Sequence, residues 1–189
     1  RETTLSNDDA QRFTCTIRGV GEIKFAVYDV DSKRYLGELT VFVPAPQVAV
    51  STSMGNFTLE LDPVAAPQTV QHFLGYVNAG FYNPATTVGG VIVHRVIKGI
   101  GIETGGFTRG YRRKDPTRAA LAVEATGLRH LRGTVAMSPS RRAAGSVDAQ
   151  WFVNLGDNTD LDAASPRLPV FGRVVAGLDV ADAIGNVET

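Results

Sequence analysis

The sequence predicts a mainly β protein with two short helices. Three observations carry that expectation: apolar and polar residues alternate along much of the chain, the apolar runs are short and broken by glycine, and only two stretches show helical spacing. With 43% hydrophobic and 20% charged residues, the 189-residue chain has a globular composition with room for one ordinary domain and a small appendage.

In chain order, Phe13, Cys15 and Ile17, then Ile23, Phe25 and Val27, then Leu39, Val41 and Val43 fall at the period of half-buried strands. Breaks at residues 18–21 and 29–33 separate them, so residues 1–46 read as a three-stranded β meander closed by Pro44 and Pro46. So small a meander cannot cover both of its faces, and it must lean on the rest of the chain, on a partner, or on sequence upstream. Its pattern is that of the last strands of an immunoglobulin-like sandwich, and its exposed edge offers a route to self-association.

A second domain, 47–189, begins at Gln47. Val48 and Val50 lead through a Met54-Gly55-Asn56 turn into Phe57, Leu59 and Leu61, a β-hairpin. Pro67 then stands in the first turn of a helix whose apolar face is Val70, Phe73, Leu74 and Val77, and Gly80 stops it. Short apolar runs follow between glycine-rich breaks, at 91–97, 133–137, 150–155 and 170–175, which suggests a barrel or sandwich. Leu178, Val180, Ala181 and Ile184 form a second amphipathic helix.

Nineteen basic residues balance nineteen acidic ones, so no global field draws the protein to nucleic acid or to an anionic membrane. A single cysteine, Cys15, excludes an intramolecular disulfide framework and a multi-cysteine zinc site. No apolar run approaches the roughly 20 residues of a spanning helix. The first residue is Arg1 rather than Met, which reads as a trimmed start from which a leader could have been removed. Together with the sandwich-like first segment this leans toward a periplasmic or secreted compartment.

The order of segments carries more than their periodicity. A hairpin, then Ala66-Pro67-Gln68-Thr69-Val70-Gln71-His72-Phe73, Gly80-Phe81-Tyr82-Asn83 and His94-Arg95-Val96-Ile97, resembles the first half of a cyclophilin, the family of peptidyl-prolyl isomerases. Gly105-Gly106-Phe107, the stretch from Leu131 to Met137, the stretch from Gln150 to Asn154, Leu161-Asp162 and the stretch from Val170 to Val174 continue it in family order, with a bacterial flavour. The resemblance implies a closed eight-stranded antiparallel barrel capped by two helices, acting on proline-containing peptides or unfolded chains. No nucleophile, metal or cofactor is required, and neither nucleic acid nor membrane enters.

Rotation about an X-Pro bond costs roughly 18–20 kcal/mol, and an enzyme need only favour the twisted state, in which the prolyl nitrogen regains its lone pair. A guanidinium, always charged and rich in donors, suits that task. The resemblance puts the catalytic arginine at Arg95, after His94. It puts the phenylalanine in the floor of the proline pocket at Phe152, with Gln150 before it, a pocket wall at Leu161, and Met137 and Ser138 beside the peptide-binding edge.

Departures gather at the same place. The family's pocket phenylalanine, methionine and arginine-orienting glutamine fall on Ile100, Gly101 and Glu103. The edge-strand asparagine falls on Pro139, which lacks an N–H. An aromatic pocket residue falls on Asp160, and a histidine or tyrosine is missing near Leu168. Loops at 84–91 and 163–169 are longer than usual. These changes predict weak or selective activity, with a non-catalytic proline-peptide-binding or scaffold module as the alternative.

The remaining candidates have bland readings. His72 on the helix and His130 in a loop lack spaced partners for zinc or a triad and read as solvent-facing or structural. Arg109, Arg112, Arg113, Lys114 and Arg118 read as a solvated loop, and Arg141-Arg142 as a feature that favours acidic substrates.

Overall fold

The alternating segments are strands in the computed structural model, which describes residues 19–29, 31–83 and 90–188. The chain divides into two compact units between residues 43 and 44. In the first, β1 (Gly21–Tyr28) pairs antiparallel with β2 (Tyr35–Val43), and Ile23 opposes Val41 while Phe25 opposes Leu39, as alternation requires. The expected strand at Phe13, Cys15 and Ile17 lies outside the described residues.

The second unit holds β3 (Gln47–Thr52), β4 (Gly55–Leu61), α1 (Pro67–Asn78), β5 (Val91–Ile97), β6 (Gly101–Thr108), β7 (Arg112–Arg113), β8 (Leu121–Ala122), β9 (Thr134–Pro139), β10 (Ser146–Asn154), β11 (Val170–Ala176) and α2 (Leu178–Gly185). Its strands form one curled antiparallel sheet in the order β3-β4-β11-β9-β10-β6-β5, with β7 added to β6 and β8 to β10. Seven strands make the continuous path, and the two-residue strands β7 and β8 bring the sheet to nine, against the eight expected. Among the described residues no ladder joins β3 to β5, so the sheet curls round its core without a hydrogen-bonded seam there.

The inner face of this sheet and the two helices share one core. Phe57, Leu59 and Leu61 of β4, Ile102 of β6, Val135 and Met137 of β9, Trp151 and Val153 of β10, and Phe171 of β11 are buried with Val70 and Phe73 of α1 and Ile184 of α2. Phe73 is the aromatic hub, with ring centroids 5.0 Å from Phe171 and 5.8 Å from Trp151. The start of α1 is capped from far along the chain: the Glu124 carboxylate accepts the backbone N–H groups of Gln68 and Thr69 and the Thr69 hydroxyl, at 3.1, 2.8 and 2.7 Å. A carboxylate there satisfies orphan donors and faces the positive end of the helix dipole.

Strand β6 corrects the sequence reading, which took its glycines as a break. A Cβ on Gly105, at φ +94°, would lie 2.3 Å from the Ala149 carbonyl oxygen, and one on Gly106 would meet the Gln150 side chain. Glycine weakens a strand as a rule, but here it lets β6 lie close to β10.

Candidate active site

One row of directly opposed residues crosses four strands. Arg95 of β5 faces Glu103 of β6, Glu103 faces Phe152 of β10, and Phe152 faces Ala136 of β9. Opposed residues share a face, and the next row, Val96, Ile102 and Val153, belongs to the core, so the Arg95 row points outward. An irregularity between Val93 and Arg95 makes this possible. Val93 packs against the core, and the extra residue, His94, turns Arg95 to the other side.

The guanidinium is accessible, with 63% of its side chain exposed, whereas that of Glu103 is only 17% exposed. Arg95 Nη1 donates to Glu103 Oε2 at 3.4 Å. His94 is set apart from them: its ring lies 4.7 Å from that of Phe107, its carbonyl accepts the Tyr111 hydroxyl at 2.6 Å, and burial pushes its imidazole below the ordinary range.

Phe152 is half-buried, and Gln150, two residues before it, is on the same face. Gly101 stands beside the Phe152 ring: a Cβ there would be 3.9 Å from Phe152 Cδ2 and 2.8 Å from the Val153 carbonyl oxygen. Ile100 is exposed on the β5–β6 turn, with its carbonyl held by the Leu155 N–H at 2.9 Å and the Asn158 amide at 2.8 Å. Leu161 sits in a short 3-10 turn, Thr159–Ala163, beside exposed Asp160, and Leu168 lies just before β11; both leucines are partly buried.

Strand β9 divides its residues between the two faces. Ser138 is buried on the Phe152 side, and Pro139 is exposed at the strand end opposite Val147. Met137 is turned away: it is fully buried, faces Trp151 across the ladder and belongs to the core, so its side chain is unavailable to a peptide. The sequence reading that set it beside the groove is corrected to a backbone role at most.

A separate cleft opens beyond Gln150, lined by Gly105, Gly106, Phe107, Arg113, Lys114, Pro116, Arg141 and Asp148. Lys114 is not the solvated loop residue that the sequence suggests. It is buried, donates to the Phe81 carbonyl at 2.6 Å, and lies 4.7 Å from the centre of the Phe81 ring. Arg142 also turns inward, toward the Arg118 carbonyl at 2.8 Å and the buried Asp148 carboxylate at 3.8 Å. Among the described residues no cluster of three His, Cys, Asp or Glu side chains is placed to hold a metal ion.

Of the two readings open for the histidines, solvent-facing or structural, both take the structural one. His72 is buried on α1 against Tyr76, with ring centroids 5.2 Å apart, a packing role. His130, read as a loop residue, is wholly buried and stacks on Phe152 with ring centroids 5.9 Å apart and planes 9° from parallel. Nothing in its local sequence signals that contact, because it arises between segments 22 residues apart.

Comparison with known proteins identifies the family and the fold. Residues 47–189 match the family model described as cyclophilin type peptidyl-prolyl cis-trans isomerase/CLD. Peptidyl-prolyl cis-trans isomerase A of Dickeya dadantii is 40% identical over 159 residues, covering 80% of each chain. Peptidyl-prolyl cis-trans isomerase B of Escherichia coli is 38% identical over 148 residues, 75% of this chain and 85% of that one. A Cryptosporidium parvum cyclophilin type isomerase, crystallised in the presence of the dipeptide Ala-Pro, shares the fold with a TM-score of 0.60 at 20% identity, over 76% of this chain and 87% of that chain.

Proposed function

Because the chain belongs to the cyclophilin-type peptidyl-prolyl cis-trans isomerases, we propose that it isomerises Xaa-Pro bonds of peptides and unfolding chains through Arg95, with weak or selective turnover. The observation that carries this is the outward row Arg95, Glu103, Phe152. Guanidinium and aromatic floor lie two strands apart, about 10 Å, the reach of roughly three extended residues. A proline ring seated over Phe152 brings its preceding amide toward Arg95.

The work of Arg95 is electrostatic. As the amide twists, the prolyl nitrogen becomes pyramidal and basic, and a donor aimed at it lowers the barrier without any bond to a nucleophile. Phe152, Leu161 and Leu168 grip the ring, Gln150 and the backbone of Ser138 and Pro139 hold the flanking peptide, and Ile100 supplies an apolar rim. The Ala-Pro dipeptide present with the Cryptosporidium parvum relative supports proline-containing peptides as the ligand class.

Two features support reduced turnover. Glu103 engages the guanidinium, and Gly101 leaves no side chain beside Phe152. They also favour the second reading, a proline-peptide-binding module that retains the groove without the rate. We read residues 1–46 as an N-terminal β-strand extension, in the pattern of an immunoglobulin-like domain, ahead of the barrel domain 47–189. An NMR exchange assay on a set of Xaa-Pro peptides tests the proposal: slow but measurable turnover with a strong preference among Xaa residues is expected. A rate on Ala-Pro peptides equal to that of ordinary cyclophilins overturns the weakened-site reading.

A further inference from the structure

We propose that His130 and Asp162 form a positioning pair that sets the floor of the proline pocket against its walls, an inference that rests on the isomerase reading of that pocket. His130 is fully buried with its ring stacked on Phe152, the floor. Its Nδ1 lies 2.9 Å from Asp162 Oδ1, and its backbone N–H donates to the same oxygen at 3.0 Å. An ionised carboxylate can only accept, so Nδ1 carries the hydrogen and the ring plane is fixed at the angle that matches Phe152.

Asp162 sits in the same turn as Leu161, one wall. Arg167, the residue before Leu168, reaches Asp162 Oδ1 at 2.7 Å and also donates to the Leu128 carbonyl. The Asn158 N–H donates to the His130 carbonyl at 2.7 Å, while its side chain holds the carbonyl of Ile100 at the rim. Floor and both walls thus meet at one imidazole–carboxylate contact, and the His130 backbone carbonyl ties in the rim through Asn158. The tie is needed because the segment carrying Leu161 and Leu168 contains only the short 3-10 turn between β10 and β11, with no ladder to fix its distance from Phe152.

His130 does not touch substrate in this account; it acts through Phe152 and Asp162. Loosening the pair weakens a grip present in both the ground and the twisted states, so KM rises while kcat stays. The test is kcat and KM by NMR exchange on an Ala-Pro peptide for His130→Phe, which keeps the stack but loses the hydrogen bond, and for Asp162→Asn, which keeps the shape but loses the charge. Each is expected to raise KM about five- to tenfold with kcat within about twofold, and the double variant to be no worse than the worse single one, because the two residues act as one unit.

A merely structural role predicts a smaller active fraction, with kcat reduced and KM unchanged. That outcome, or unchanged parameters in both variants, overturns the proposal. Peptide Kd from NMR titration gives the same reading without turnover. If the wild type binds but shows no Arg95-dependent rate, the isomerase reading fails while the pair is still judged by its Kd values; if it binds no proline peptide, both fall.

Discussion

Glu103 lies between Arg95 and Phe152 in the register of β5, β6 and β10, and its Oε2 is 3.4 Å from the Arg95 guanidinium. The group that donates to the prolyl nitrogen in the proposed mechanism is therefore shared with a carboxylate of its own fold. The arginine is well exposed, so the contact is a weak surface pair, of the order of 0–1 kcal/mol.

Glu103→Gln removes the charge and keeps a hydrogen-bonding side chain. It is expected to raise kcat/KM on an Ala-Pro peptide about two- to fivefold, the rate equivalent of a pair of that strength. A fall in kcat/KM in the exchange assay shows instead that Glu103 holds the guanidinium in its working position.

Gly101 and Gly105 do not tolerate side chains. Gly105→Ala meets both a left-handed backbone, φ +94°, and the Ala149 carbonyl oxygen, and is expected to lose about 2–4 kcal/mol in urea unfolding. Gly101→Met does not rebuild a pocket wall, because its Cβ begins 2.8 Å from the Val153 carbonyl oxygen. Reduced stability without tighter peptide binding is the expected pairing of results.

The distant cap on α1 contributes to the stability of the barrel unit. Removing it with Glu124→Ala leaves three donors without their acceptor and is expected to cost about 1–2 kcal/mol. Chemical denaturation measures this, and Glu124→Gln, which keeps an acceptor oxygen, should lose less.

Acid weakens the fold through Asp162. Burial alone would raise its carboxyl, but hydrogen bonds from the His130 ring and backbone, from Arg129, and the charge of Arg167 together hold it at about 2, below the ordinary 3.8. A carboxylate depressed in the folded state adds stability that is fully present above the ordinary value and is lost as pH falls from about 4 toward 2. Asp182, lowered by its two-point contact with Arg132 at 2.8 and 2.7 Å, acts in the same direction. Thermal melts between pH 5 and 2 should show a shallower acid limb for Asp162→Asn than for the wild type.

Much of the fold was legible from pattern: the alternation of Phe57, Leu59 and Leu61 marks β4, the short apolar run 91–97 marks β5, and Pro67 opens α1. Strand β6 was not, since its glycines answer to the nearness of Ala149 and Gln150 rather than to strand propensity. At the site, the ladder puts Arg95 and Phe152 on one face and strand alternation adds Gln150 to it. Met137, one residue from Ser138, falls on the core side by the same rule. The burial of His130 and Lys114 was not legible because their partners, Phe152 with Asp162 and the Phe81 carbonyl, are distant in sequence. No local pattern encodes them.

The exchange rate of an Ala-Pro peptide with the wild type and with Arg95→Ala tests the central claim most directly. The wild type should accelerate exchange, and Arg95→Ala should lose about a hundredfold or more of kcat/KM, as removal of a transition-state donor does, while the folded spectrum is retained. Equal rates in the two proteins would contradict the assignment of Arg95 as the group that twists the bond.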